Sequence, residues 1–141
     1  MKHLLTAFFA ATLLASSYST FADDSNFTWR PLPPALSTTA VAALLTGRPN
    51  QPGLYILRVK MEKDGIILPH YHQDTRYVTV LRGTLFAGSG PDVNEANAKA
   101  YDEGSFFVVP AGDVHFSWAK DGDVEYQESG IGPTSNELYK R

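Results

Sequence analysis

Residues 69–83 read PHYHQDTRYVTVLRG. Two histidines stand one residue apart, an arginine follows, and a run of β-formers closes on a glycine. Side chains along a strand alternate between faces, so His70 and His72 point the same way. The same alternation carries Ile66 and Leu68 onto that face, giving a strand apolar at one end and imidazole-lined at the other. Buried neutral imidazoles need partners, and two side by side suit a shared cation. An isolated His-x-His pair is more often a surface feature, so the reading depends on what the rest of the chain supplies.

Outward from this stretch the sequence reads as short strands and turns. LYILRVKM (54–61) alternates, Lys63-Asp64-Gly65 signals a turn, and IILPHYH (66–72), RYVTVLRG (76–83) and TLFAGSG (84–90) follow. PDVNEANAKAYDE (91–103) is polar and reads as a loop with room for one helical turn, whereas GSFFVVP (104–110) is apolar enough to be buried on both faces. VHFSWAK (114–120) and VEYQESGI (124–131) are the last strands, joined through the Asp121-Gly122-Asp123 hairpin signal. Repeated strands without intervening helices indicate a sandwich or barrel. Upstream, Pro31, Pro33, Pro34, Pro49 and Pro52 restrict residues 23–53 to an extended lead-in. Within it STTAVAALLT (37–46) predicts a short helix, capped by Ser37 and stopped by Gly47.

The first 22 residues stand apart. Lys2 and His3 precede an apolar stretch, Leu4–Ala15, and small or polar residues lead to Thr20-Phe21-Ala22. The stretch is shorter than the roughly 20 residues a bilayer span requires. It predicts a signal peptide cleaved after Ala22 and export to the bacterial periplasm or beyond. The expected organisation is a signal peptide (1–22), lead-in (23–53), barrel (54–131) and tail (132–141). In 141 residues there is no cysteine, which excludes disulfides and thiolate chemistry, and the net charge of -3 gives no electrostatic footprint for nucleic acid.

The chain has four histidines. His3 belongs to the leader, which leaves His70, His72 and one more, His115, in GSFFVVPAGDVHFSWA. A two-sheet barrel brings strands this far apart in sequence to one cavity.

In this pattern the chain resembles the cupins. Their first motif is glycine, a short gap, His-x-His, three or four residues, glutamate, six residues and glycine. Here it is Gly65, IILP, His70-Tyr71-His72, QDT, Arg76, YVTVLR and Gly83. The second is glycine, five residues, Pro-x-Gly, two residues, histidine, three residues and asparagine. Here it is Gly104, SFFVV, Pro110-Ala111-Gly112, DV, His115, FSW and Ala119. The opening gap is one residue short, Arg76 stands where the family usually has glutamate, and Ala119 replaces the asparagine. The PGLYILRVKM lead-in, TVLRGTL and SGIGP are similar to a group of small secreted single-cupin proteins.

The resemblance implies an all-β double-stranded β-helix, a jelly-roll barrel, with one divalent metal ion held inside by His70, His72 and His115. Imidazole donors do not choose among zinc, iron, nickel, copper and manganese. The usual glutamate is a fourth ligand, and Arg76 cannot replace it. Two readings of Arg76 follow. Either it binds a substrate carboxylate beside the metal, as guanidinium forks do, or it pairs with an acid at the barrel mouth. Asp74, Glu62, Glu125 and Glu128 are the acids within reach. Phe106, Phe107, Phe116 and Trp118 read as core or interface aromatics, and Tyr71 and Tyr77 face away from the histidines. The expected functions are a metal-dependent oxygenase or hydrolase acting on a small anionic molecule, a non-catalytic periplasmic metal or ligand-binding module, or a metal-free cupin. A homodimer is expected from the resemblance and from strands that look apolar on both faces.

Overall fold

The computed structural model describes residues 26–140. The signal-peptide reading therefore lies outside the described residues. Eleven strands follow in order: β1 (Trp29–Pro31), β2 (Val41–Thr46), β3 (Gly53–Met61), β4 (Ile66–His72), β5 (Arg76–Arg82), β6 (Thr84–Ser89), β7 (Ala98–Asp102), β8 (Phe106–Val109), β9 (His115–Trp118), β10 (Val124–Gly132) and β11 (Asn136–Leu138). They form two antiparallel sheets, one in the order β1-β2-β3-β10-β5-β8 and the other β11-β4-β9-β6-β7. This is the expected jelly-roll barrel. Val59, Met61, Val78, Val80 and Tyr126 from the first sheet meet Ile67 and Leu85 from the second and Ala119 just past β9. Leu36 and Ala40, in the segment between β1 and β2, close one side of this core.

Three expectations about local structure are corrected. Residues 41–46 are a strand, not part of a helix, and pair antiparallel with β3. The Ala-Leu run favours a helix locally, but β3 offers a row of backbone partners and a place to bury Ala43 fully, and tertiary pairing overrides propensity. Ser37 still caps, though it caps a turn: its hydroxyl accepts from the amides of Thr39 and Ala40. Residues 95–97 form the expected single turn, a 3₁₀ one, yet residues 98–102 continue as β7 instead of loop. Finally, β8 is an edge strand with one open face, where Phe106 and Val108 are exposed.

The inward face of β4 also differs. Ile67, not Ile66 or Leu68, is buried with His70 and His72, and Leu68 is exposed. The register between β4 and β9 shifts between Ile67 and His70. A bulge adds one residue and reverses which parity faces in, so Ile67 and His70 share the interior although three positions apart.

Gly130 on β10 shows how tightly one end of the barrel is filled. A side chain there would place Cβ 2.1 Å from Asp74 Oδ2 and 2.2 Å from the Tyr55 hydroxyl. Gly130→Ala is expected to cost about 1–3 kcal/mol through overpacking, measured as a lowered urea midpoint at unchanged slope. An unchanged midpoint would mean that Tyr55 and Asp74 are not held against this backbone.

Candidate metal centre

His70 and His72 come from the end of β4, and His115 from the start of β9, the strand paired with it. All three are buried, at 5%, 3% and 8% exposure. Their ring centroids lie 4.3–5.0 Å apart, and one nitrogen from each ring falls within 4.8 Å of the others. Strand pairing brings the two separated histidine motifs to one point.

The donor state of each ring follows from its other nitrogen. His70 Nδ1 is 2.7 Å from the Leu68 carbonyl, and His115 Nδ1 is 2.9 Å from the Asp113 carbonyl. A carbonyl only accepts, so both rings carry their proton on Nδ1 and present a bare Nε2. His72 Nε2 is, among the described residues, the one buried side-chain nitrogen or oxygen without a hydrogen-bond partner. Two lone pairs and an orphaned ring nitrogen converge in an apolar barrel, and the trio fits a cation when the His72 proton sits on Nδ1. Ring nitrogens on one ion, each at about 2.1 Å, are separated by at most about 4.2 Å. The widest pair therefore has to close by at least roughly half an ångström.

Arg76 opens β5 on the face it shares with Val78 and Val80, as alternation predicts, and is 3% exposed. Its Nε donates to Asp74 Oδ1 and its Nη1 to Glu128 Oε2, both at 2.9 Å. Its Nη2 lies 3.0 Å from His72 Nδ1. Each of its nitrogens thus has a partner inside the barrel. This argues against a substrate-carboxylate anchor and makes Arg76 an internal counter-ion. Of the candidate acids, Asp74 and Glu128 meet it, whereas Glu125 pairs with Arg58. One cation beside two carboxylates leaves the group of three formally anionic, although the guanidinium still disfavours protonation of His72.

The cupin family pattern matches residues 32–136, which is most of the chain. The chain belongs to the cupin family. A germin-like protein, subfamily 3 member 2, of Arabidopsis thaliana is 33% identical over 84 residues, covering 55% of this cupin and 37% of that relative. This chain thus spans well under half of that relative's length. Among solved structures, the polyketide cyclase RemF from Streptomyces resistomycificus matches with a TM-score of 0.68 at 13% identity, covering 86% of this chain and 87% of that one. An oxalate decarboxylase of Bacillus subtilis matches with a TM-score of 0.60 at 18% identity, covering 77% and 28%. At these identities the structures establish the fold alone.

Within the cupin barrel, Asp74 is the hub of a buried network. Its Oδ1 accepts from Thr134 at 2.6 Å as well as from Arg76, and its Oδ2 accepts from the Tyr55 hydroxyl at 2.5 Å. Burial pushes this carboxyl up, but the bonds from Thr134, Tyr55 and Arg76 outweigh it and hold it below the usual carboxylate range. Burial and the Asp74 carboxylate push the Tyr55 phenol well up. Glu128 is bonded to Arg76 through Oε2 and lines both interior cavities beside the histidines. One, of about 90 Å³, is bounded by His115, Ser117, Tyr126, Phe107 and Tyr101. The other, of about 50 Å³, is bounded by His70, His72 and Arg76. Phe107, expected in the core, stacks on Tyr101 at 4.0 Å and forms part of the first cavity wall. A larger cavity, of about 250 Å³, lies where β3 and β10 meet the β10 entry turn and contains no histidine.

Glu128 was legible by parity, since Tyr126, Glu128 and Gly130 share one face of β10. Tyr55 was legible in the same way, on the face of β3 that carries Val59 and Met61, whereas Thr134, outside any strand, carried no such signal. Among the described residues no helix is long and apolar enough to cross a membrane.

The histidines are held neutral. Burial, then His115, pushes His70 down to about 3, and burial, then Arg76, pushes His72 down to about 2. Burial lowers His115 as well. As the pH falls below about 6.5, the unfolded chain takes up protons that the folded barrel refuses. The stability tied to the neutral rings is complete above that pH and declines towards about 3. Metal-free protein is expected to lose stability between about pH 7.5 and about pH 5, with His70 and His72 each contributing on the order of 1–2 kcal/mol. Urea unfolding at both pH values checks this, and a midpoint that holds or rises on acidification contradicts it.

Proposed function

We propose that this is an exported cupin that binds one divalent metal ion through His70, His72 and His115 and uses it on a small molecule, as an oxygenase or hydrolase. The observation that carries the reading is the convergence of three neutral imidazoles, two with bare Nε2 atoms fixed by backbone carbonyls and one orphaned. Three protein nitrogens with positions left open make the catalytic pattern of metal sites, whereas structural sites are closed. A bound ion would supply a Lewis acid that polarises a substrate oxygen or acidifies a water. That an oxalate decarboxylase and an oxalate oxidase share the fold is in keeping with a small oxygen-rich substrate.

The chain's own contribution lies around the 90 Å³ cavity. Phe107, Tyr101, Leu85 and Val78 exclude water, and Ser117 and Tyr126 offer hydroxyls. Glu128 holds a carboxylate there, tied by one oxygen to Arg76, and its other oxygen is the available proton acceptor. With Arg76 occupied internally, an anionic substrate would be held by the metal and not by a guanidinium fork. Export rests on the residue pattern of positions 2–22. A metal-free cupin is the second reading, favoured by the Arg76 contact to His72.

His72→Ala and His115→Ala are each expected to weaken metal binding at least about tenfold, since losing even a residue that only orients a ligand costs about 10–100-fold. Elemental analysis after equilibrium dialysis reads this directly. Full stoichiometry in both variants would remove the assignment. Zinc, nickel or iron(II) at about 100 times its dissociation constant should stabilise the wild type by about 2.7 kcal/mol. A melting temperature indifferent to all three would favour the metal-free reading.

A further inference from the structure

We infer that Arg76 latches His72 in a hydrogen-bonded state that cannot ligate metal, and that an incoming ion binds only by displacing this contact. The inference rests on the metal reading above and concerns how the site is filled. A guanidinium has donors and no acceptor. With Arg76 Nη2 3.0 Å from His72 Nδ1, Nδ1 must present its lone pair, and the ring proton sits on Nε2. That is the nitrogen left to face His70 and His115, and an N–H cannot bind a cation. His70 and His115 are in the opposite tautomer, because their Nδ1 atoms meet carbonyl oxygens.

The alternative state is already built. The Ser135 carbonyl stands 3.3 Å from the same His72 Nδ1. It accepts only when Nδ1 carries the proton, so it and Arg76 exclude one another as partners. With Nδ1–H directed to Ser135, Nε2 is bare and three equivalent donors converge. Arg76 then gives up one hydrogen bond but keeps Asp74 and Glu128, so no buried charge is stranded. In the latched state one N–H and two lone pairs face each other across the cluster, a set that holds a water better than a cation. The switch also reaches the segment joining β10 and β11. Ser135 lies there next to Thr134, which is bonded to Asp74.

The test is nitrogen-15 NMR of histidine-labelled full-length protein stripped with chelator, in which the chemical shift of each ring nitrogen reports whether it carries a proton. Before metal is added, His72 should be protonated on Nε2, and His70 and His115 on Nδ1. Zinc should convert His72 to the Nδ1–H form together with the other two. Arg76→Lys keeps a cation for Asp74 and Glu128 but withdraws the fork from His72. It should show Nδ1–H at His72 without metal and bind zinc about tenfold more tightly, the scale of one competing charged hydrogen bond. Nδ1–H at His72 in the stripped wild type would overturn the latch even if zinc binds normally. Nε2–H persisting in the zinc-loaded protein would overturn the displacement. If no ring responds to zinc, the metal reading fails and the displacement with it, while the metal-free spectrum still decides whether Arg76 sets the proton.

Discussion

The charge of Arg76 organises one end of the barrel. A guanidinium removed from water costs far more than any single packing contact unless it is paired and hydrogen-bonded. Meeting that requirement draws Asp74 from the β4–β5 connection and Glu128 from β10 to the same point. Asp74 in turn fixes Tyr55 on β3 and Thr134 beyond β10. Side chains from β3, the β4–β5 turn, β5, β10 and the segment after it are thereby tied around one cation, directly behind the histidines. Gly130 completes the arrangement by leaving the volume that Asp74 and Tyr55 fill.

This network accounts for the departure from the usual cupin pattern. Replacing a ligand glutamate with arginine puts a positive charge where a metal would otherwise find an anion. Here the carboxylate is relocated: Glu128 sits on the neighbouring strand, opposite Val78 in the register. The formal charge beside the imidazoles stays negative, and the barrel keeps three neutral nitrogen donors without a carboxylate among them.

Much of the fold was legible because its signals are local. Alternation located β3, β4, β5 and β10, and glycine or Asp-Gly turns bounded them. The histidine trio was legible because two spaced motifs claimed every histidine beyond His3. What failed was decided by distant partners. Residues 41–46 have a helical composition and become a strand because β3 presents an edge. The inward parity of β4 reverses at a bulge that exists only in its pairing with β9. The role of Arg76 depended on Asp74, whose turn position has no parity to read. It depended equally on Glu128, 52 residues away.

That His70, His72 and His115 share one ion through their inward nitrogens is tested most directly by anomalous diffraction. Crystals of full-length protein loaded with zinc would be measured on both sides of the zinc absorption edge. One dominant peak per chain is predicted, bounded by the three imidazoles and clear of Arg76. A peak elsewhere, or an empty cluster in crystals that contain zinc, would contradict it.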